Sequence, residues 1–268
     1  MSTTLITTGG LGIFGDFAAR TIAEARVIEL LRKVLNATIH GPFRALFDQT
    51  TRAPFQRHDV RIDVTLTTAG EANEDMIIAL VRSELRTNAP LGERLFLCSP
   101  KRYPRDYYHR HGFTEHWTID PARGIAADDP DTFTVLDYSI NGVSQDIQRS
   151  ASKGEQIYTV TPRDVTASPG ELYHEEYTYR VLMPRHGQSL YFTVDVPTRN
   201  FSLKVNHFDT GISRLTLVDF FASETEPRIN ASSATLPAPP SVSVDGWIMP
   251  TSGVVITWNL NTPALAKN

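Results

Sequence analysis

The chain has 268 residues, 41% of them hydrophobic and 21% charged, with a formal net charge of −4. That length supports one large domain or two ordinary ones with real cores, and the composition excludes a disordered or fibrous chain. The acidic balance argues against a generic nucleic-acid binder, and a single cysteine, Cys98, excludes an intrachain disulfide and a cysteine-built zinc site.

The chain opens on a glycine-rich stretch, TTGGLGIFGDF (7–17), in which Gly10, Gly12 and Gly15 spell G-x-G-x-x-G. Glycines at that spacing let backbone approach a pyrophosphate where a following helix N-terminus favours negative charge. From Asp16 to Leu35 the apolar residues Phe17, Ile22, Val27, Ile28, Leu30, Leu31, Val34 and Leu35 recur at intervals of three and four, which predicts a helix capped by Asp16. Its apolar stripe is wide enough to bury against a partner copy or the body of the protein, with Phe17, Val27, Leu31 and Val34 as assembly residues. A short second helix is expected over 42–49, with Pro42 in its first turn.

After residue 57 the pattern changes. HDVRIDVTLT (58–67) alternates Val60, Ile62, Val64 and Leu66 with polar residues, which predicts a half-buried strand. MIIALVRSELR (76–86) fits both a helical period and a return strand; its helix-forming composition tips the expectation for 74–87 toward helix. Cys98, inside RLFLCSP, reads as a buried inert thiol. Strands are expected at 132–140, 155–161, 173–183, 189–196, 200–208, 213–221, 240–249 and 253–260, separated by turn signals such as Asn141-Gly142 and Asp209-Thr210-Gly211. Their spacing predicts antiparallel sheets, and Trp247 and Trp258 read as core residues of a closing hairpin. The expected fold is therefore α+β and β-rich: an N-terminal helical segment, a mixed middle and a C-terminal antiparallel β-sandwich. A boundary in the polar stretch Gln148 to Gly154 divides it into 1–150, a helical arm plus mixed region, and 151–268, the sandwich.

The sharpest local departure from the average composition is KRYPRDYYHRHGFTEHW (101–117). Arg102, Arg105 and Arg110 beside Tyr107 and Trp117 combine guanidinium forks with aromatic faces, which suit either a phosphorylated or nucleotide ligand or a protein-interface hot spot. In the same stretch His109, His111 and Glu115 form H-x-H-x3-E; on a strand both histidines share a face, as two ligands of one metal must. This spacing resembles the first metal motif of the cupins, and the resemblance implies a metal-dependent enzyme on a β-barrel. At the N-terminus Thr8, Gly9, Gly12 and Gly15 resemble the T-G-x-x-G-x-x-G phosphate turn of short-chain dehydrogenases and nucleotide-sugar epimerases. That resemblance implies an NAD-binding oxidoreductase on a parallel sheet.

The sequence contains no G-x-S-x-G elbow, Walker loop, EF-hand loop or H-E-x-x-H, no signal peptide and no 18-residue apolar run. The reading favoured is a cytoplasmic, non-enzymatic interaction protein without a cofactor, which self-assembles or binds a protein partner through the sandwich and the helix. A sensor of a phosphorylated or nucleotide ligand, working through 101–117, is the alternative. The cupin-like and NAD-dependent enzymes rank below both.

Overall fold

A computed structural model of the chain describes residues 53–70, 73–101, 103, 113–120, 124–166, 168, 170–187, 189–230 and 239–260. In chain order the strands are β1 (Arg57–Thr68), β2 (Met76–Thr87), β3 (Arg94–Ser99), β4 (Phe113–Thr118), β5 (Phe133–Ile140), β6 (Val143–Ser144), β7 (Ile147–Ser152) and β8 (Glu155–Val160). After them come β9 (Tyr173–Pro184), β10 (Ser189–Val194), β11 (Thr198–Phe208), β12 (Ile212–Asp219), β13 (Arg228–Asn230), β14 (Ser241–Ile248) and β15 (Ser252–Leu260). They form an eight-stranded sheet in the order β13-β14-β11-β1-β2-β9-β5-β6, a four-stranded sheet β4-β3-β8-β7 and a three-stranded sheet β10-β15-β12.

Alternation decides which face of the large sheet is dry. In β2, Ile77, Ala79, Val81, Ser83, Leu85 and Thr87 are buried, while the residues between them face outward. In β9 the buried set is Tyr173, Glu175, Tyr177, Tyr179, Val181 and Met183. These inner faces join side chains from both small sheets in one core cluster. Over β9 and β5 the core is aromatic: Phe96 meets Tyr138 and Tyr177 edge-on at centroid distances of 6.1 and 5.4 Å, and Phe133 meets Tyr158 at 5.8 Å. Such edge-to-face pairs add about 0.5–1.5 kcal/mol each beyond area burial, and fully buried rings also fix how the sheets stack. Under the other half of the large sheet, Phe201 of β11 packs on Phe221 at 5.1 Å, and the Trp258 indole N–H donates to the Arg185 carbonyl at 2.9 Å.

The strands expected at 58–67, 132–140, 155–161, 173–183, 189–196, 200–208, 213–221, 240–249 and 253–260 are present within a few residues, and Cys98 is buried as expected. The α+β class is corrected. The described residues are nearly all β, and their only helical element is the short turn Arg185–Gly187. Residues 76–87 are a strand, because the chain lies between β1 and β9 and pairs with both along its length. The expected C-terminal antiparallel sandwich is corrected as well. The late strands β9, β11 and β14 interleave with β1, β2 and β5 in one sheet, and two pairings, β1–β11 and β3–β4, are parallel. Trp247 and Trp258 do not share a hairpin: β14 belongs to the large sheet, and β15 has crossed to the three-stranded one. The predicted helices over 16–35 and 42–49 lie outside the described residues.

Candidate functional site

On the outer face of the large sheet, the alternation breaks along one line. Asp59 in β1 and Asn200 in β11 have positive φ, 52° and 61°, and Gly246 in β14 has φ of 84°. The register shifts beside Asp59 and Gly246 identify β-bulges. The three positions are wired together. Asn200 Nδ2 donates to Asp59 Oδ1 at 2.8 Å, and the Gly246 N–H donates to Asn200 Oδ1 at 3.0 Å. The Trp247 N–H is held in turn by Glu224 Oε2 at 3.1 Å.

The row beyond this line gathers aromatic and basic side chains from five strands. Register pairs Trp247 with Arg199, Arg199 with His58, His58 with Arg86, and Arg86 with His174. His58 meets Trp247 edge-on at 5.4 Å and 73°. Burial lowers the His58 pKa, assisted by the Arg199 and Arg86 cations and opposed by Asp59, so the ring is neutral at pH 7. Arg86 stands 3.7 Å from the Asp59 carboxylate, whereas Arg199 is exposed and has no ion-pair partner among the described residues. The row therefore offers an exposed guanidinium without an ion-pair partner among the described residues, in register opposite Trp247, a pairing suited to a carboxylate or phosphate attached to an apolar group.

The rest of the outer face is graded. Next to the bulges, Arg82 bridges Glu84 and Glu176 at 2.9 and 2.6 Å, and Arg61 pairs with Asp63 at 3.0 Å. A shallow hollow of about 200 Å³ lies there over β1, β11 and β14, lined by Arg61, Asp63, Lys204 and three serines. Further along, Phe208 and Leu80 are 57% and 37% exposed, making the far end apolar.

The residues singled out from sequence fare differently. Arg102, Arg105, Tyr107, His109, His111 and Arg110 lie outside the described residues, as do Gly10, Gly12, Gly15, Phe17, Val27, Leu31 and Val34. Glu115 and Trp117 sit on β4, the edge of the four-stranded sheet, and both turn toward β9. The Tyr177 hydroxyl donates to Glu115 Oε1 at 2.8 Å, and Trp117 meets Tyr179 edge-on at 6.0 Å. Desolvation raises the Glu115 carboxyl to about 7; the Tyr177 hydrogen bond and Arg57 pull it down, and Asp195 pushes it up. Glu115 is thus half-buried against β9, bonded to a tyrosine of the core. Among the described residues, no group of three His, Cys, Asp or Glu side chains is placed to hold a metal ion.

One other buried polar pair ties two sheets together. Arg94 Nε and Nη2 donate to Glu175 Oε1 at 3.0 and 2.6 Å, and Nη2 also reaches the Tyr173 hydroxyl at 2.5 Å, joining β3 to β9. Burial pushes the Cys98 thiol up to about 12, so it stays protonated and unreactive at neutral pH.

No family model matches the chain, and no curated protein matches it. Among solved structures, the chain is similar to native leukotriene A4 hydrolase from Saccharomyces cerevisiae, with a TM-score of 0.36 and 10% identity over 76% of this chain and 29% of that one. It is also similar to a protein from Parabacteroides distasonis ATCC 8503, with a TM-score of 0.42 and 9% identity over 77% of this chain and 40% of that one. The chain spans less than half the length of each of these proteins. Among the described residues, no helix is long and apolar enough to cross a membrane.

Proposed function

We propose that this chain is a non-enzymatic recognition scaffold that binds a protein partner on the outer face of its eight-stranded sheet. The observation that carries this reading is the hydrogen-bonded line Asp59–Asn200–Gly246, which interrupts adjacent strands beside one outward-facing row, in which Arg199 and Arg86 are exposed and Trp247, His58 and His174 half-buried. Bulges re-aim side chains at the cost of ladder hydrogen bonds, and Trp and Arg are the residues that anchor interfaces. The free Arg199 guanidinium selects an acidic segment on the partner.

The test is titration of the full chain with a glutamate-rich peptide at low salt, read by Trp247 emission and checked by calorimetry. Binding should weaken on the order of tenfold or more in Arg199→Glu, weaken again with added salt, and lose its fluorescence signal in Trp247→Phe. Peptide affinity unchanged by Arg199→Glu, or no binding to wild type, overturns the assignment. A parallel titration with inorganic phosphate tests the ligand-sensor alternative: saturation by phosphate at equal or higher affinity favours a small anionic ligand over a protein.

A further inference from the structure

We infer that the chain self-associates through the outer edge of its four-stranded sheet, β7 pairing antiparallel with β7 of a second copy. This deepens the reading of the chain as an interaction scaffold. It uses a surface apart from the Trp247 row, so either assignment can fail alone.

Exposed strand edges template further pairing, and folded proteins usually blunt them by shortness, bulges, proline or lysine. The large sheet follows this rule, ending in β6 with two residues and β13 with three. The edge strand β12 carries a register shift between Ile212 and Arg214. β7 has none of these devices. Its six residues, IQRSAS, pair with β8 in unbroken register from Ile147↔Val160 to Ser152↔Glu155. Gln148 to Ser152 are all exposed, and none of the described residues pairs with the outer side of the strand. Arg149 is the only charge on the strand, and its guanidinium turns back onto its own molecule, toward Gln156 Oε1 at 2.9 Å and the Asp128 carbonyl.

The turn fixes which backbone groups are free. Lys153 and Gly154, with φ of 55° and 77°, form a two-residue turn, so Ser152 and Glu155 are the hydrogen-bonded pair that closes it. Alternation then spends the Ser150 and Gln148 groups on β8 and leaves those of Ile147, Arg149 and Ala151 pointing outward. Antiparallel pairing requires outward groups to meet outward groups, which leaves few registers. Centring the pair on Arg149 sets two guanidinium groups directly opposite. Centring it on Ser150 avoids this: Arg149 faces Ala151 of the second copy, and Gln148 faces its Ser152. That register also brings Lys153 of each copy beside Ile147 of the other, one residue from its Asp146. Lys153 has no ion-pair partner among the described residues, and the exposed Asp146 carboxylate, held by Arg163 through Oδ2 at 3.1 Å, can receive the lysine at its other oxygen. The small side chains of Ser150, Ala151 and Ser152 let the two backbones close to ladder distance.

Sedimentation velocity on the full chain over a wide concentration range should show a monomer–dimer equilibrium. Ala151→Pro removes an outward N–H and none of the donors that face β8, so it should shift the dimerisation midpoint at least tenfold with little change in Tm. Ser150→Cys lies on the two-fold axis at a non-hydrogen-bonded position, where Cα atoms come within about 4.5 Å, inside disulfide reach. Under mild oxidation it should form covalent dimers at least tenfold faster than Ser213→Cys. Gln148→Cys and Ser152→Cys should cross-link with each other and not with themselves; native Cys98 is buried and does not compete. A chain that stays monomeric with Ser150→Cys no faster than the control overturns the inference, as does a dimer indifferent to Ala151→Pro.

Discussion

The Arg94–Glu175 pair gives the most direct test of how the sheets are joined. Its side chains are 13% and 5% exposed, and both guanidinium contacts converge on one carboxylate oxygen. Glu175→Gln keeps the shape and removes the charge, leaving Arg94 without its counter-ion in the same enclosure. Breaking a buried pair from one side costs about 3–5 kcal/mol, whereas replacing both partners with apolar groups of similar volume costs far less. At about 2–4 °C per kcal/mol for a domain of this size, Glu175→Gln should lower Tm by roughly 6–20 °C. The double change Arg94→Met with Glu175→Leu should recover most of that loss. Urea unfolding of wild type, both single variants and the double gives the coupling energy, provided the m-values agree. Single variants costing under about 1 kcal/mol would show that the pair behaves like an exposed one, and the account of β3 anchored to β9 would be wrong.

Glu115 sets a pH dependence of known sign. Its carboxyl is raised from 4.5 to about 7 in the fold, so the native state holds a proton that the unfolded chain releases, and stability declines as pH rises through that interval. Glu115→Gln should therefore stabilise the protein at pH 8 and change little at pH 4; an equal effect at both, measured by thermal unfolding, refutes the shift. Cys98 should resist a thiol reagent such as DTNB in the native protein and react at once in denaturant; native labelling on the timescale of mixing contradicts its burial. At Gly253 an added Cβ would lie 2.1 Å from the Phe192 carbonyl oxygen in β10. Gly253→Ala should therefore cost about 1–3 kcal/mol by forcing β15 away from β10, and unchanged urea stability would refute that contact.

Much of the fold was legible where a strand has one wet face and one dry face. The alternation in β1 and β9 marks both, and Asn141-Gly142 marks the β5–β6 turn. β2 was obscured because Leu80, Arg82 and Glu84, good helix formers, occupy its outer face, and pairing on both sides outweighs local propensity. β7 was obscured for the opposite reason: both its faces are solvated, so IQRSAS shows no alternation and reads as a linker at the expected domain boundary. The outer-face row has no local motif, since positions 58, 86, 174, 199 and 247 meet only through strand order. Its one local trace is Asp245-Gly246, which interrupts the alternation of SVSVDGWI. Glu115 and Trp117 stand out for their chemistry, yet their strand turns them against the core tyrosines of β9, half-buried.

The order of strands in the large sheet has a consequence for synthesis. β1 and β2 lie at its centre and leave the ribosome as a hairpin, yet their outer neighbours, β11 and β9, come from the far side of the chain. Until those arrive, the hairpin carries two open edges and an uncovered apolar face. Pairings of such long sequence separation fold slowly, on the millisecond-to-second scale typical of non-local β topologies. A nascent chain paused near residue 170 should consequently be a strong client for chaperones that hold exposed strands, and that demand should vanish once β11 seals β1.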